Sequence, residues 1–184
     1  MKKILIVFTL LLFTISGISQ DKYLTKTGHV TFEASVPSFE EVKATNNSTT
    51  VILNIENGQF AALVFVKGFR FKNALMEEHF NENYAESDNY PKANFKGEII
   101  DFDINNINET KTKVYYNGTL EFHGKTKAVS NLPMTIYLSD NNEIVLSGTL
   151  KVNVEDFDID IPKVVSNKVS KQVEIEYNFP LKKK

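Results

Sequence analysis

The chain has 184 residues, 42% hydrophobic and 24% charged, which is one domain's length and neither a disordered nor a fully membrane-embedded composition. Lys and Arg number 21 against 23 Asp and Glu, so no broad basic surface for nucleic acid is expected. There is no cysteine, which excludes a disulfide scaffold, Cys-ligated zinc, iron–sulfur clusters and thiol catalysis.

The first element in chain order is a secretory signal. Lys2 and Lys3 precede an apolar run from Ile4 to Ile15, and Ser16-Gly17-Ile18-Ser19 supplies small residues. At 1.5 Å per residue this run is too short to span a ~30 Å hydrocarbon core. Gly17 and Ser19 suit the cleavage site, so residues 1–19 are read as a signal peptide and 20–184 as one mature domain opening at Gln20. Export to the periplasm or the exterior follows. The mature chain carries 19 basic against 23 acidic residues, a net −4.

Beyond the cut, period two dominates. Val30-Phe32-Ala34-Val36 alternate with polar residues, as do the apolar positions of 114–122, 132–138, 144–154 and 173–181. Such runs are half-buried strands. Residues 50–56, 60–67 and 94–104 are further candidates, and 38–45 a weaker one. Turn chemistry separates them at Asn46-Asn47, Asn57-Gly58, His123-Gly124 and Asp140-Asn141-Asn142. The exception is 73–84, where Leu75, Met76, His79, Phe80 and Asn83 share a helical face behind Asn73 as N-cap. About eight antiparallel strands with one short helix imply an all-β fold, a sandwich or a closed barrel. Closure removes exposed edges and leaves an interior that is filled or holds one small ligand. A lipocalin-like closed antiparallel barrel is therefore expected.

Particular residues carry a family likeness. Gly118-Thr119-Leu120-Glu121-Phe122-His123-Gly124-Lys125-Thr126-Lys127 resembles the G-x-L-x-x-H-G-x-T-K hairpin of the YceI-like family. Tyr90-Pro91-Lys92-Ala93-Asn94-Phe95 is similar to its Y-P-x-x-x-F segment, and Phe157 and Ile159 to its late D-F-x-I. Asp158, Val154 and Lys125 depart from residues the family often has at those places. The resemblance runs from about residue 23 to 181. It implies a β-barrel that holds a long-chain apolar lipid such as a polyisoprenoid, with no cofactor, in an exported and often dimeric protein.

Chemical constellations are sparse. His29, His79 and His123 share no metal-ligand spacing; His123 serves its turn ahead of Gly124, and His79 falls on the helix's apolar stripe as a buried, partnered imidazole. Asp101 and Asp103, then Asp156, Asp158 and Asp160, alternate at period two and are read as solvated strand faces, no calcium loop following either set. No Gly-x-Ser-x-Gly elbow and no phosphate loop occurs. Lys182-Lys183-Lys184 is read as a solvated tail, with peripheral contact to anionic lipid as the alternative.

These observations favour a non-enzymatic lipid carrier. The expected lining is Phe32, Phe60, Val64, Tyr116, Leu120, Phe122, Met134, Ile136, Leu146, Leu150 and Tyr177, with Leu75 and Phe80 of the helix as a lid over the open end. The rival readings are a solid-cored interaction module, which needs no cavity, and a lipid-modifying enzyme, which needs polar groups converging on one.

Overall fold

The computed structural model describes residues 22–184; residues 1–19, read above as a signal peptide, lie outside them. The strands are β1 (Lys22–Ser35), β2 (Lys43–Asn54), β3 (Gln59–Phe65), the two-residue β4 (Arg70–Phe71), β5 (Lys92–Ile99), β6 (Thr112–Phe122), β7 (Lys125–Leu138), β8 (Ile144–Asn153) and β9 (Val169–Lys183). Eight of them follow one another as β1-β9-β8-β7-β6-β5-β3-β2, and β2 returns to β1. Every pairing is antiparallel. The sheet is thus a closed eight-stranded barrel, as the alternating pattern implies. β4 lies outside that circuit and pairs Ala44 with Phe71 and Thr45 with Arg70 on β2.

The turns follow their chemistry. Gly58, at φ +72°, closes the β2–β3 hairpin, and His123 and Gly124, at +50° and +70°, form the two-residue β6–β7 turn. Two consecutive positive φ values match the right-handed twist of the strands they join. Residues 60–67 and 94–104 are apolar on both faces, and the fold fixes which face is inward. Phe60, Ala62 and Val64 point in while Phe65 is exposed, and Ile99 is buried at the end of β5.

Asn46-Asn47 is not a turn. Both lie within β2, where the buried positions switch from Ala44 and Asn46 to Thr49, Val51 and Leu53. That change of phase is a bulge, matched by register shifts on β1 around Gly28. Asn46 is fully buried and supplies what the interrupted ladder loses. Its amide donates to the Phe65 carbonyl at 3.0 Å, and its Oδ1 accepts from Ser48 N at 2.8 Å. The weak strand at 38–45 accordingly shrinks to a loop, with β2 starting at Lys43.

The helix α1 (Ala74–His79) runs on into one wide π turn, Phe80–Tyr84, in which Ala85 N donates to Phe80 O at 2.8 Å. Asn73 caps it, accepting from Leu75 N at 2.9 Å. The π turn widens the side-chain spacing to about four residues, so Met76, Phe80 and Tyr84 face the barrel. The expected stripe is corrected on this point. Leu75 is 57% exposed, and His79 and Asn83 are exposed as well.

The aspartates are also reassigned. Asp103 caps a short 3-10 turn at Ile104–Asn106, accepting from Asn105 N at 2.9 Å. Asp156 closes a capping box on the 3-10 turn Val154–Phe157, and Asp158 takes the left-handed position after it. Turn capping, rather than strand alternation, places Asp103, Asp156 and Asp158. The terminal lysines are no tail either, because β9 continues to Lys183 and Lys182 pairs with Glu143 at 3.4 Å.

The two ends of the barrel differ. One end gathers the β1–β2 loop, the helix, the β6–β7 turn and the long β8–β9 connection. Towards the other, Leu53, Ile144, Leu146 and Leu181 are fully buried and fill the interior.

Candidate functional site

The helical end of the barrel holds a cavity of about 390 Å³. Its wall starts with the inward positions of the strands: Val30 and Phe32 from β1, Val64 from β3, Leu120 and Phe122 from β6, Val152 from β8 and Ile175 from β9. Period-two alternation delivers these side chains to one space. Met76, Phe80 and Tyr84 of the helical segment, Phe39 of the β1–β2 loop, and Phe157, Ile159 and Val165 of the β8–β9 connection complete it.

Four phenylalanines set the helix in place. Phe80 lies 5.1 Å from Phe32, 5.3 Å from Phe71 and 6.0 Å from Phe69, and Phe32 touches Phe69 at 5.0 Å between ring centroids. Such ring pairs add attraction beyond the apolar area that they bury. Phe71 is held there by the β2–β4 pairing, and Phe69 by a 3-10 turn, Val66–Gly68, whose Val66 N donates to Pro91 O at 3.0 Å.

A second, narrower chamber of about 70 Å³ continues inward and shares Val30, Val64, Ala93, Leu120 and Ile175 as walls with the first. Phe60, Phe95, Tyr116, Leu150, Tyr177 and Phe179 line its inner part. Burial pushes the Tyr177 phenol well above the ordinary tyrosine range, and the neighbouring Tyr116 adds to the rise. Burial raises Tyr116 too, offset in part by the Tyr177 hydroxyl. Both phenols are therefore neutral at physiological pH.

Charged groups keep to the outside. The titratable side chains on the main cavity's wall, besides Tyr84, are Glu40, His79 and Lys168, and all three are exposed. His123 lies beyond the wall. Its Nδ1 donates to the Phe157 carbonyl at 2.8 Å, its ring packs on Tyr90 at 4.5 Å, and its Nε2 faces Glu86 Oε1 at 3.4 Å. His29 sits on β1 beside Asn47 and Thr31, apart from the other two. Neither a nucleophile with its base nor a set of converging carboxylates faces the cavity, so its walls can sequester hydrocarbon and exclude water.

The expected lining residues separate by depth. Phe32, Val64, Phe80, Leu120 and Phe122 border the main cavity, and Phe60, Tyr116, Leu150 and Tyr177 border the inner chamber, where Val64 and Leu120 also reach. Met134, Ile136 and Leu146 are buried in the filled part of the barrel and border neither space. Leu75 points to solvent, because it lies about 140° round the helix from Phe80, while Met76, Phe80 and Tyr84 face the cavity. Sequence reasoning missed Phe69 and Phe71, which sit in a stretch too short to show any period. It also missed Val152, Phe157 and Ile159, the last two of which carry the family likeness.

Comparison with known proteins gives the same assignment. A polyisoprenoid-binding domain from Saccharophagus degradans, implicated in plant cell wall breakdown, superimposes with a TM-score of 0.76 at 12% identity, covering 90% of this chain and 99% of that one. BcnA of Burkholderia cenocepacia follows at 0.65 and 17% identity, covering 84% and 94%. A YceI protein of Campylobacter jejuni gives 0.58 at 14% identity, covering 81% and 88%. At these identities the likeness is one of fold. No curated protein matches the chain. The model of the YceI-like domain matches residues 22–181, nearly the whole described barrel, and the chain belongs to that family.

Proposed function

We propose that this protein binds the hydrocarbon tail of a polyisoprenoid-like lipid inside its barrel, as a carrier rather than as an enzyme. The observation that supports the reading most is the cavity itself. A solid-cored interaction module has no need of about 390 Å³ of apolar space at one end of its barrel. An empty apolar space of that size forfeits dispersion contacts with its own walls, and a bound tail restores them. Each methylene taken from water contributes about 0.8 kcal/mol, so affinity comes from area and needs few polar contacts. The Saccharophagus relative, a polyisoprenoid-binding domain of the same fold, supports the same class of ligand.

The test is organic extraction of gently purified protein, followed by binding of a fluorescent polyprenyl probe. Extracted lipid and saturable probe binding are expected; failure of both would remove the carrier reading. We also propose that the chain acts outside the cytoplasm after cleavage ahead of Gln20. N-terminal analysis of material from the native host checks this, and an intact Met1 would overturn it.

A further inference from the structure

The inner chamber ends on four rings, each laid across a glycine of an adjoining strand. Phe95 covers Gly118, Phe60 covers Gly97, Tyr177 covers Gly148 and Phe179 covers Gly28. A Cβ on any of these glycines would come within 2.4–2.8 Å of the covering side chain. Glycine inside a strand allows such close approach, and the ring in turn shields the bare backbone. The rings also brace one another: Phe60 stacks on Phe95 at 5.6 Å, and Tyr177 on Phe179 at 5.2 Å. Leu53 is paired with Phe60 and Leu146 with Phe179 at the level of the rings, and the next inward pair down, Ile144 with Leu181, is fully buried. The tunnel is blind.

We propose that this aromatic floor is a stop that selects lipids by tail length. The inference rests on the lipid-binding reading above and adds a limit to it. A cavity of about 150 Å³ holds the six carbons of benzene, or roughly 25 Å³ per carbon. On that scale the main cavity of about 390 Å³ and the chamber of about 70 Å³ take a single tail of about sixteen to eighteen carbons. The ligand class is then a single-chain lipid of three to four isoprene units, or a saturated chain of matching length. Any further units stay outside the barrel and add nothing to its grip.

The experiment is displacement of a fluorescent fatty-acid probe by prenyl alcohols of two, three, four and eight isoprene units. Each carbon newly buried should raise affinity about four-fold, so the steps up to four units are steep, and the eight-unit alcohol binds no tighter than the four-unit one. Affinity that keeps climbing through eight units would overturn the stop while leaving the carrier intact. If neither the probe nor any alcohol binds, lipid binding itself fails, and the stop with it. Phe60→Ala removes one ring of the floor and should move the plateau out by about one isoprene unit; an unmoved plateau in a folded variant counts against the stop. Should Phe60→Ala not fold, Phe95→Ala makes the same test at a half-buried position.

Discussion

His123 and Phe157 are joined across the mouth of the barrel by a 2.8 Å hydrogen bond from the imidazole Nδ1 to the backbone carbonyl. A carbonyl can only accept, so Nδ1 carries the proton and the tautomer is set. The bond fastens the β6–β7 turn to the 3-10 turn that carries Phe157 into the cavity wall. His123→Ala should cost about 1–3 kcal/mol, since it strands a carbonyl beside a fully buried phenylalanine. Denaturant unfolding measures the loss; a change below about 0.5 kcal/mol, the ordinary surface value, would mean that the clasp contributes nothing.

The helix should behave as a lid held by one ring. Phe80→Ala is expected to cost about 1–3 kcal/mol, less than the ~3–5 kcal/mol of a fully buried phenylalanine, and to weaken probe binding more than it weakens the fold. Leu75→Ser, at an exposed position, should leave stability within about 0.5 kcal/mol. Thermal unfolding and probe affinity, measured on the same samples, separate the two effects. Unchanged affinity per folded Phe80→Ala molecule would reduce the helix to a structural element.

Gly118→Ala tests the seat of Phe95. The added methyl would meet Phe95 Cζ at 2.4 Å and the Lys96 carbonyl at 2.6 Å. One of these neighbours is backbone and cannot swing aside, so a loss of about 1–3 kcal/mol is expected from overpacking. A lowered unfolding midpoint checks it; wild-type stability would show that the strand yields freely.

Acid stability should depend on Asp156. Its hydrogen bond with Lys127 holds this carboxyl below the ordinary range, and the Asn153 backbone N–H assists. A depressed folded pKa gives stability that is present above the unfolded value, about 3.9, and lost as pH falls through the folded one. The unfolding midpoint of the wild type should therefore decline below about pH 4, and that of Asp156→Asn should decline less steeply. Parallel slopes would exclude the pairing as a source of stability.

At alkaline pH the sign is reversed. Tyr116 and Tyr177 are both raised in the folded state, so their contribution is complete below the unfolded value of about 10 and is lost as pH climbs towards the folded ones. Ultraviolet titration should find these two phenols ionising last, together with unfolding. The double variant Tyr116→Phe, Tyr177→Phe should lack that late phase; its persistence would place the late phenols elsewhere.

The barrel was legible because one-sided strands repeat an inward and outward alternation that survives without any knowledge of partners. What escaped was local. Asn46 reads as a turn residue, but its amide repairs a bulge, which only the register of β1 against β2 makes visible. Leu75 and Phe80 mark opposite edges of one apolar stripe, about 140° apart on a 3.6-residue wheel, and the sequence does not say which edge meets the barrel. Phe69 and Phe71 enter the site through a 3-10 turn and a two-residue strand, neither long enough to leave a period. A signal for the chamber floor was present in Gly97, Gly118 and Gly148, since glycine within an otherwise apolar strand marks close approach by another group.

Closure of the sheet by β1 and β9 has a consequence in time. Tyr23 pairs with Lys183, and Phe32 with Ile175, so the seam joins the two extremities of the described chain. Until the last strand is available, β1 lacks one neighbour and β8 the other, and both present open ladders on which another chain can template. Contacts so remote in sequence form slowly. The fifteen residues of β9 therefore act as a latch: a molecule truncated ahead of Val169 is left with two sticky edges, and its fate is aggregation rather than a looser barrel.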